Sequence, residues 1–291
     1  MAVRRVGILG HPERPAVRRA AARLSTLMRR RGLAVRIDSA LAREMERPGH
    51  ALATLARWSQ LLITLGGDGT ALRGACAAAR GGAVVLPINL GGLGFLAAAE
   101  EAEADQAVRA ALAGKWPPVR HRLLEARVSR GGRVVQRGQA VNDVVIKAAG
   151  GYSAVHLRVE ALGADLGHLL ADGLIVASAA GSTAYSLSAG GPVLARDLDL
   201  MVATPVCPHT LASRSLVLGP EHPLEVRVLG SFDRPGLFFD GQEPSFLEPG
   251  DQIQFRLSRA TVRVLENPAR PLGRALRGKL GWQGSERRSF S

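Results

Sequence analysis

The chain has 291 residues, 46% hydrophobic and 22% charged, which excludes a wholly disordered chain, a collagen and a coiled coil. No run of about 18 apolar residues exists, so no membrane-spanning helix and no membrane partner are expected; two cysteines, Cys76 and Cys207, exclude a disulfide framework and point to a reducing cytoplasm. The formal charge of +13 is uneven: residues 1–138 carry 23 Lys and Arg against 10 Asp and Glu, whereas residues 139–266 carry 9 against 14.

Aromatic residues are only 4%, so a basic face interleaved with stacking rings is not expected, and neither is a nucleic-acid partner. The excess reads as arginine-covered helix surface, with attraction of polyanionic substrates as the functional alternative. The apolar stretch at residues 6–9 is too brief for the h-region of a signal peptide.

In chain order, residues 5–9 form a short strand-like run ending at Gly10-His11-Pro12. Val17, Ala20, Ala21, Leu24, Leu27 and Met28 then recur at helical spacing, with Gly32 as the stop. Residues 33–37 and 61–65 read as strands, the second running into Gly66-Gly67-Asp68-Gly69-Thr70. A helix over 71–80, a buried-type strand over 83–88, a loop over 89–95 and a helix over 100–113 with an acidic first turn follow. This alternation predicts a Rossmann-like parallel sheet with helices on both faces.

After Trp116-Pro117-Pro118 the runs become short and β-rich, over 122–129, 133–136, 143–147, 155–162, 224–229, 237–240 and 252–257. Several alternate with period 2, which predicts an antiparallel sandwich. The expected organisation is an α/β domain over 1–118, an all-β sandwich over 119–267, and a helical segment over 268–291 returning to the first domain.

The Gly66-Gly67-Asp68-Gly69-Thr70 turn is the sharpest chemical signal. It lies where a predicted strand ends and a predicted helix begins, the place where open α/β sheets bind ligands. Glycines let a phosphate approach the backbone, and the helix start supplies N–H donors to it. A carboxylate among phosphates repels them unless it accepts a proton from an attacking hydroxyl or helps to hold a metal. The plain alternative is a tight turn with Asp68 capping the helix.

Gly92, Gly94 and Ala97 have dinucleotide-loop spacing but lack the acidic residue expected downstream, so a plain loop is as good a reading. Five hydroxyl side chains within 182–188 can form a polar groove, with Ser182 or Thr183 opening a helix. Asn142-Asp143 offers an amide and a carboxylate suited to a ribose or adenine edge, or else a turn. The seven histidines show no metal-ligand spacing with the cysteines.

Taken in order, Gly66 to Thr70, Asn89 to Phe95, Asn142-Asp143, Asp172-Gly173, Gly181 to Pro192, Pro208 to Leu211 with Arg214, Asp240-Gly241-Gln242 and Lys279 to Trp282 resemble the NAD kinase family over nearly the whole chain. The glycine turn alone is shared with diacylglycerol, sphingosine and phosphofructokinases; the Gly-Ser-Thr-Ala-Tyr block with Asn-Asp upstream is more specific. The resemblance implies phosphorylation of the adenosine 2′-hydroxyl of NAD by ATP or polyphosphate, a divalent metal such as Mg²⁺, and a homodimer or homotetramer.

By position, Asp68 resembles the proton acceptor, and Gly66, Gly67, Gly69 and Thr70 the phosphate loop. Asp68, Gly69, Arg73, Phe95, Asn142, Asp143, Asp172, Thr183, Ala184, Tyr185, Ser186, Ser188 and Gln242 resemble substrate-contacting positions, with Leu72 beside them. The chain departs from the family at Ser178-Ala179-Ala180, where Thr-Pro-Thr is usual, and at Leu170, where a basic residue is common.

Overall fold

The computed structural model describes residues 3–91, 96–149, 154–231 and 233–280. The chain divides into two compact units, one built from residues 1–119 and 263–291, the other from 120–262.

In the first unit β1 (Arg5–Gly10), α1 (Pro15–Arg29), β2 (Ala34–Ile37), α2 (Ser39–Glu44), α3 (Leu52–Trp58), β3 (Leu61–Leu65), α4 (Asp68–Gly81), β4 (Val84–Asn89), β5 (Ala99–Glu100) and α5 (Ala104–Leu112) follow one another. The strands pair in parallel in the order β2-β1-β3-β4, with β5 on the outer side of β4. Every residue of β3 is buried, as is every residue of β1 after Arg5, which is why both read as uninterrupted apolar runs. α1 opens with Pro15 and buries Val17, Ala20, Ala21, Leu24 and Met28 against the sheet. The chain order reverses at β1, with β2 on one side and β3 on the other, so β1 and β3 flank a topological switch point.

α4 lies tight on this sheet because Gly74 has no side chain. A Cβ there would stand 2.3 Å from Thr64 Cγ2 on β3. The short helices α2 and α3 are not read from the sequence; Asp38 caps α2 by accepting from Ala40 and Leu41 N–H. The predicted helix over 100–113 begins instead as a 3₁₀ turn, Glu101–Glu103, closed by a capping box between Glu100 and Glu103.

The second unit contains β6 (Pro118–Arg130), β7 (Arg133–Ala140), β8 (Asp143–Ala148), β9 (Val155–Ala161), β10 (Ala164–Ala171), β11 (Gly173–Ser178), the one-turn α6 (Tyr185–Ser188), β12 (Met201–Val206), β13 (Leu216–Leu218), β14 (Leu224–Ser231), β15 (Pro235–Phe239), β16 (Ser245–Phe246) and β17 (Gln252–Leu265). One sheet orders β10-β9-β14-β17, with the β6–β7 hairpin joined to β17; the other orders β13-β12-β11-β8-β15-β16. All pairings inside the second sheet are antiparallel. The closing strand β17 runs on into the first unit, where Arg263 and Val264 pair in parallel with β4.

Val144, Ile146, Leu174 and Val176 fill the core shared with the first sheet, around Leu157, Val226 and Phe255. The alternate residues Val145, Ile175 and Ala177 pack into a second cluster with Leu194 and Val202. The second sheet is therefore covered on both faces, and β11 carries no polar alternation. β10 is interrupted by a bulge at Gly167 (φ 94°), which hides its period from the sequence. α7 (Leu272–Leu280) ends the described chain, preceded by Arg270, which pairs with Glu100 at 3.2 Å and Glu103 at 3.0 Å. No helix among the described residues is long and apolar enough to cross a membrane.

Candidate functional site

In the first unit the candidate residues gather at the carboxyl ends of the parallel strands. Gly66 takes φ 152°, and its N–H donates to the Ile88 carbonyl at 3.1 Å, tying the end of β3 to β4. Gly67 occupies the cap position of α4, so the plain alternative of an Asp68 cap is not what forms: Asp68 is the first helical residue. The carbonyl of Gly67 instead accepts from Thr70 and Ala71 N–H at 3.0 and 3.2 Å. Thr70 is buried, and its Oγ1 stands 2.7 Å from where a Gly66 Cβ would lie, so the hydroxyl packs under the turn. Gly67 and Gly69 face open space, Asp68 is half-buried, and the positive end of the α4 dipole lies at this turn.

Leu72 is half-buried and Arg73 exposed on the next turn. Asp38, at the end of β2, accepts from Gly10 N–H at 3.1 Å as well as capping α2. Burial pushes its carboxyl above the usual range, against the pull of those N–H groups and of the Arg73 charge. Phe95, and with it most of the second glycine loop, lies outside the described residues.

In the second unit one end of the second sheet collects β8's start and the ends of β11 and β15. The Asp240 carboxylate accepts from the N–H groups of Val141 (2.8 Å), Asn142 (2.7 Å) and Asp143 (3.2 Å), and Asp240 N–H returns a bond to the Asp143 carbonyl at 2.9 Å. Asp240 holds φ 48°, a left-handed conformation that a short acidic side chain tolerates and that Gly241 continues at φ 68°. Asp143 is 6% exposed; burial, and secondarily the Asp240 charge, push its carboxyl up to about 7. Asn142 is equally enclosed, and its Oδ1 is buried with no hydrogen-bond partner.

The hydroxyl block packs against this turn. A Cβ on Gly181 would stand 2.0 Å from the Asn142 carbonyl oxygen, so only glycine lets the segment lie on Asn142. Ser178 Oγ donates to the Val141 carbonyl at 2.6 Å and accepts from Gly181 N–H at 3.2 Å, fixing the same join. The expectation that Ser182 or Thr183 opens a helix is corrected. Both donate backwards, Ser182 to the Ala179 carbonyl at 2.7 Å and Thr183 to that of Ala180 at 3.2 Å, within a 3₁₀ turn.

Ser186 Oγ is buried against Thr204 Oγ1 at 2.9 Å, whereas Tyr185 and Ser188 are exposed and Ala184 half-buried. Gln242 is exposed just past the Asp240 turn. This end thus brings Asn142, Asp143, Thr183, Ala184, Tyr185 and Gln242 together. It does not include Asp172: β8 and β11 are antiparallel, with Asp143 opposite Ala177, so Asp172 sits about 16 Å away at the other end of the sheet. There Asp172 accepts from the Cys207 thiol.

Sequence reasoning missed the anchoring roles of Asp240, Ser178 and Thr204. Only Asp240 carried a local signal, as an Asp-Gly pair at the end of an apolar strand.

Comparison with known proteins identifies the family. Residues 6–116 match the family described as ATP-NAD kinase N-terminal domain, and residues 141–267 match the ATP-NAD kinase C-terminal domain. An NAD kinase of Symbiobacterium thermophilum is 40% identical over 251 residues, covering 86% of this chain and 89% of its own length. One from Nitrosospira multiformis is 34% identical over 97% of both chains. Among solved structures, yeast NADH kinase complexed with NADH superposes with a TM-score of 0.87 at 25% identity, covering 99% of this chain and 91% of that one. An NAD kinase from Archaeoglobus fulgidus in complex with ATP shares the fold, with a TM-score of 0.73 at 22% identity, covering 96% of this chain and all of its own.

Proposed function

The chain belongs to the NAD kinase family and transfers a phosphoryl group from ATP to the adenosine-ribose 2′-hydroxyl of NAD, giving NADP, and we propose that Asp68 takes the proton from that hydroxyl. The observation that supports this role is a half-buried carboxylate on the first residue of α4, between two glycines whose open sides leave room for phosphate. A ribose hydroxyl is a poor nucleophile at neutral pH, and a positioned carboxylate that accepts its proton accelerates the transfer by roughly 10²- to 10⁴-fold. Within the turn Gly66 to Thr70, the backbone N–H groups of Gly67 and Gly69 orient the transferred phosphoryl while Gly66 and Thr70 fix the shape of the loop, and positioning and charge stabilisation supply most of the catalysis.

In the second unit, Asn142 and Asp143 recognise the nucleoside of NAD. The unpartnered Asn142 Oδ1 is suited to an exocyclic amine or a ribose hydroxyl. Thr183, Ala184, Tyr185 and Gln242 line the same end. Ser186 supports them from inside, and Ser188 lies on the exposed flank. Asp172 and Arg73 serve outside this cluster, Arg73 on the phosphate side.

Among the described residues no three His, Cys, Asp or Glu side chains converge on a metal. Mg²⁺ is commonly held by one or two carboxylates together with substrate phosphates, and Asp68 fits that mode. Asp68 would hold the ion with the donor's phosphates, where it neutralises charge on the phosphoryl oxygens. A cytoplasmic homo-oligomer accepting ATP or polyphosphate completes the reading.

A coupled assay for NADP, run with each donor and with or without Mg²⁺, tests it. NADP formation dependent on a donor and on the metal is expected. Turnover of the Asp68→Asn variant near that of the parent refutes the proton-acceptor role.

A further inference from the structure

We propose that the turn after β1 is a polyphosphate-binding element, in which Arg14 and His11 grip the phosphate chain of the donor. The inference deepens the kinase reading above and rests on it. Gly10 pairs with Leu65 and Leu65 with Ile88, so His11, Gly66 and Asn89 form the next row across β1, β3 and β4. Adjacent strands lie about 4.8 Å apart, which makes the row about 10 Å wide. His11 N–H donates to the Leu65 carbonyl at 3.2 Å, and Gly66 N–H to that of Ile88 at 3.1 Å, so the row is fixed by backbone. Its middle member has no side chain, and the glycine turn continues directly from it.

Two side chains flank that gap. His11 is half-buried; its Nδ1 is enclosed without a partner, leaving Nε2 as the ring atom for anything outside. Arg14 precedes α1 on the β1 side, yet its guanidinium ends beside β4. A Cβ on Gly91 would stand 3.6 Å from Arg14 Nη1 and 3.6 Å from Asn89 Oδ1. The side chain therefore reaches laterally past the end of β3, where Gly66 sits.

Neighbouring arginines are already balanced. Arg18 pairs with Glu44 at 3.3 Å, and the charge of Arg73 acts on Asp38. Arg14 is exposed and, among the described residues, has no carboxylate within 4.0 Å. A planar guanidinium fork, an imidazole and the N–H groups opening α4 make a set of donors spread over several ångströms. That suits an extended chain of phosphates better than a single anion. The diphosphate of NAD shares this chemistry, but Asp68 and the glycine turn lie in the same unit and handle the transferred phosphoryl, which favours the donor.

The test uses the full chain with Arg14→Ala, Arg14→Lys and His11→Ala, measured by steady-state kinetics in ATP and in NAD and by calorimetric titration with inorganic tripolyphosphate. Arg14 is exposed and gives α1 no side-chain cap bond, so its variants keep the fold. For Arg14→Ala, KM for ATP and Kd for tripolyphosphate should each rise roughly 10- to 100-fold, the effect of losing a charge-assisted pair. Arg14→Lys should recover part of this, keeping charge without the fork. His11→Ala should weaken tripolyphosphate about 3- to 10-fold.

Unchanged ATP and tripolyphosphate constants would overturn the proposal while leaving the kinase reading intact. A loss confined to NAD would also overturn it, since the element would then serve the acceptor's diphosphate. Absence of NADP formation by the parent protein would sink the kinase reading instead, and the tripolyphosphate titration would decide the anion site alone.

Discussion

Replacing Asp143 with asparagine should stabilise the protein, and more so in alkaline than in acidic solution. Burial, and after it the Asp240 charge, raise this carboxyl from its ordinary value of 3.8 to about 7. The folded state thus keeps a proton that the unfolded chain loses between those two values, and stability falls as pH rises through the window. Each unit separating the two values is worth about 1.4 kcal/mol. The group therefore costs about 2 kcal/mol at pH 5 and about 4 kcal/mol at pH 8, relative to one that never ionises. An asparagine side chain does not ionise and is nearly isosteric with aspartate, so Asp143→Asn gains about 2–3 kcal/mol more at pH 8 than at pH 5.

Thermal unfolding of parent and variant at both pH values reads this directly. At about 2–4 °C per kcal/mol for a chain of this size, the Tm difference should widen by about 5–10 °C between acid and alkali. A difference that stays constant across that range refutes a proton held on Asp143. The same variant should bind NAD more weakly, measured by calorimetry, because the proposed recognition group is altered.

Asp68→Asn is expected to lower kcat by roughly 10²- to 10⁴-fold while Kd for NAD changes little, which single-turnover kinetics and calorimetry separate. Gly181→Ala places a Cβ 2.0 Å from the Asn142 oxygen and should cost about 2–3 kcal/mol in thermal unfolding. Gly219→Ala, where the added carbon meets nothing within 4 Å, should stay within about 0.5 kcal/mol and serves as the control. Arg130→Ala strips the bidentate partner, 2.8 Å on each oxygen, from the enclosed Asp251, and a lower Tm than the parent's is expected in the same assay.

The parallel sheet was legible because its strands are buried on both faces. Runs such as LLITL and VVLPI carry no competing pattern, and each ends at a glycine or asparagine turn. The β-rich character after Pro118 was legible too, but residues 164–178 and 201–206 were not read as strands. β11 and β12 are packed on both sides and so lack period 2, and β10 is broken by its Gly167 bulge. α2 and α3 have six and seven residues, too few for a helical period to stand out.

At the candidate site the glycine turn and the Asn142-Asp143 pair stand out in sequence because their residue types are locally unusual. What holds them is long-range. Asp240 lies about 100 residues from the N–H groups it accepts, and Ser178 is 37 residues from Val141. No local pattern encodes such a bond, and the left-handed Asp240 conformation appears only as an Asp-Gly pair that any surface turn could supply.

The distribution of local cost also singles out the end of the second sheet proposed to bind NAD. Glu125 and Asp251 are enclosed carboxylates as well, but arginines answer them: Arg137 and Arg256 on Glu125, Arg130 on Asp251. Asp143 instead lies beside a second carboxylate, next to an amide oxygen with no partner and a residue held at positive φ. Folding alone does not reward that combination, whereas a ligand presenting hydroxyl or amine donors satisfies the Asn142 oxygen and the Asp143 carboxylate together. NAD should therefore raise the Tm of the parent by more than that of Asp143→Asn at equal NAD concentration, because the parent, whose unsatisfied carboxylate the ligand relieves, binds it with the lower Kd. Equal shifts in the two proteins would mean that the unsatisfied groups at this turn are a feature of folding and not of recognition.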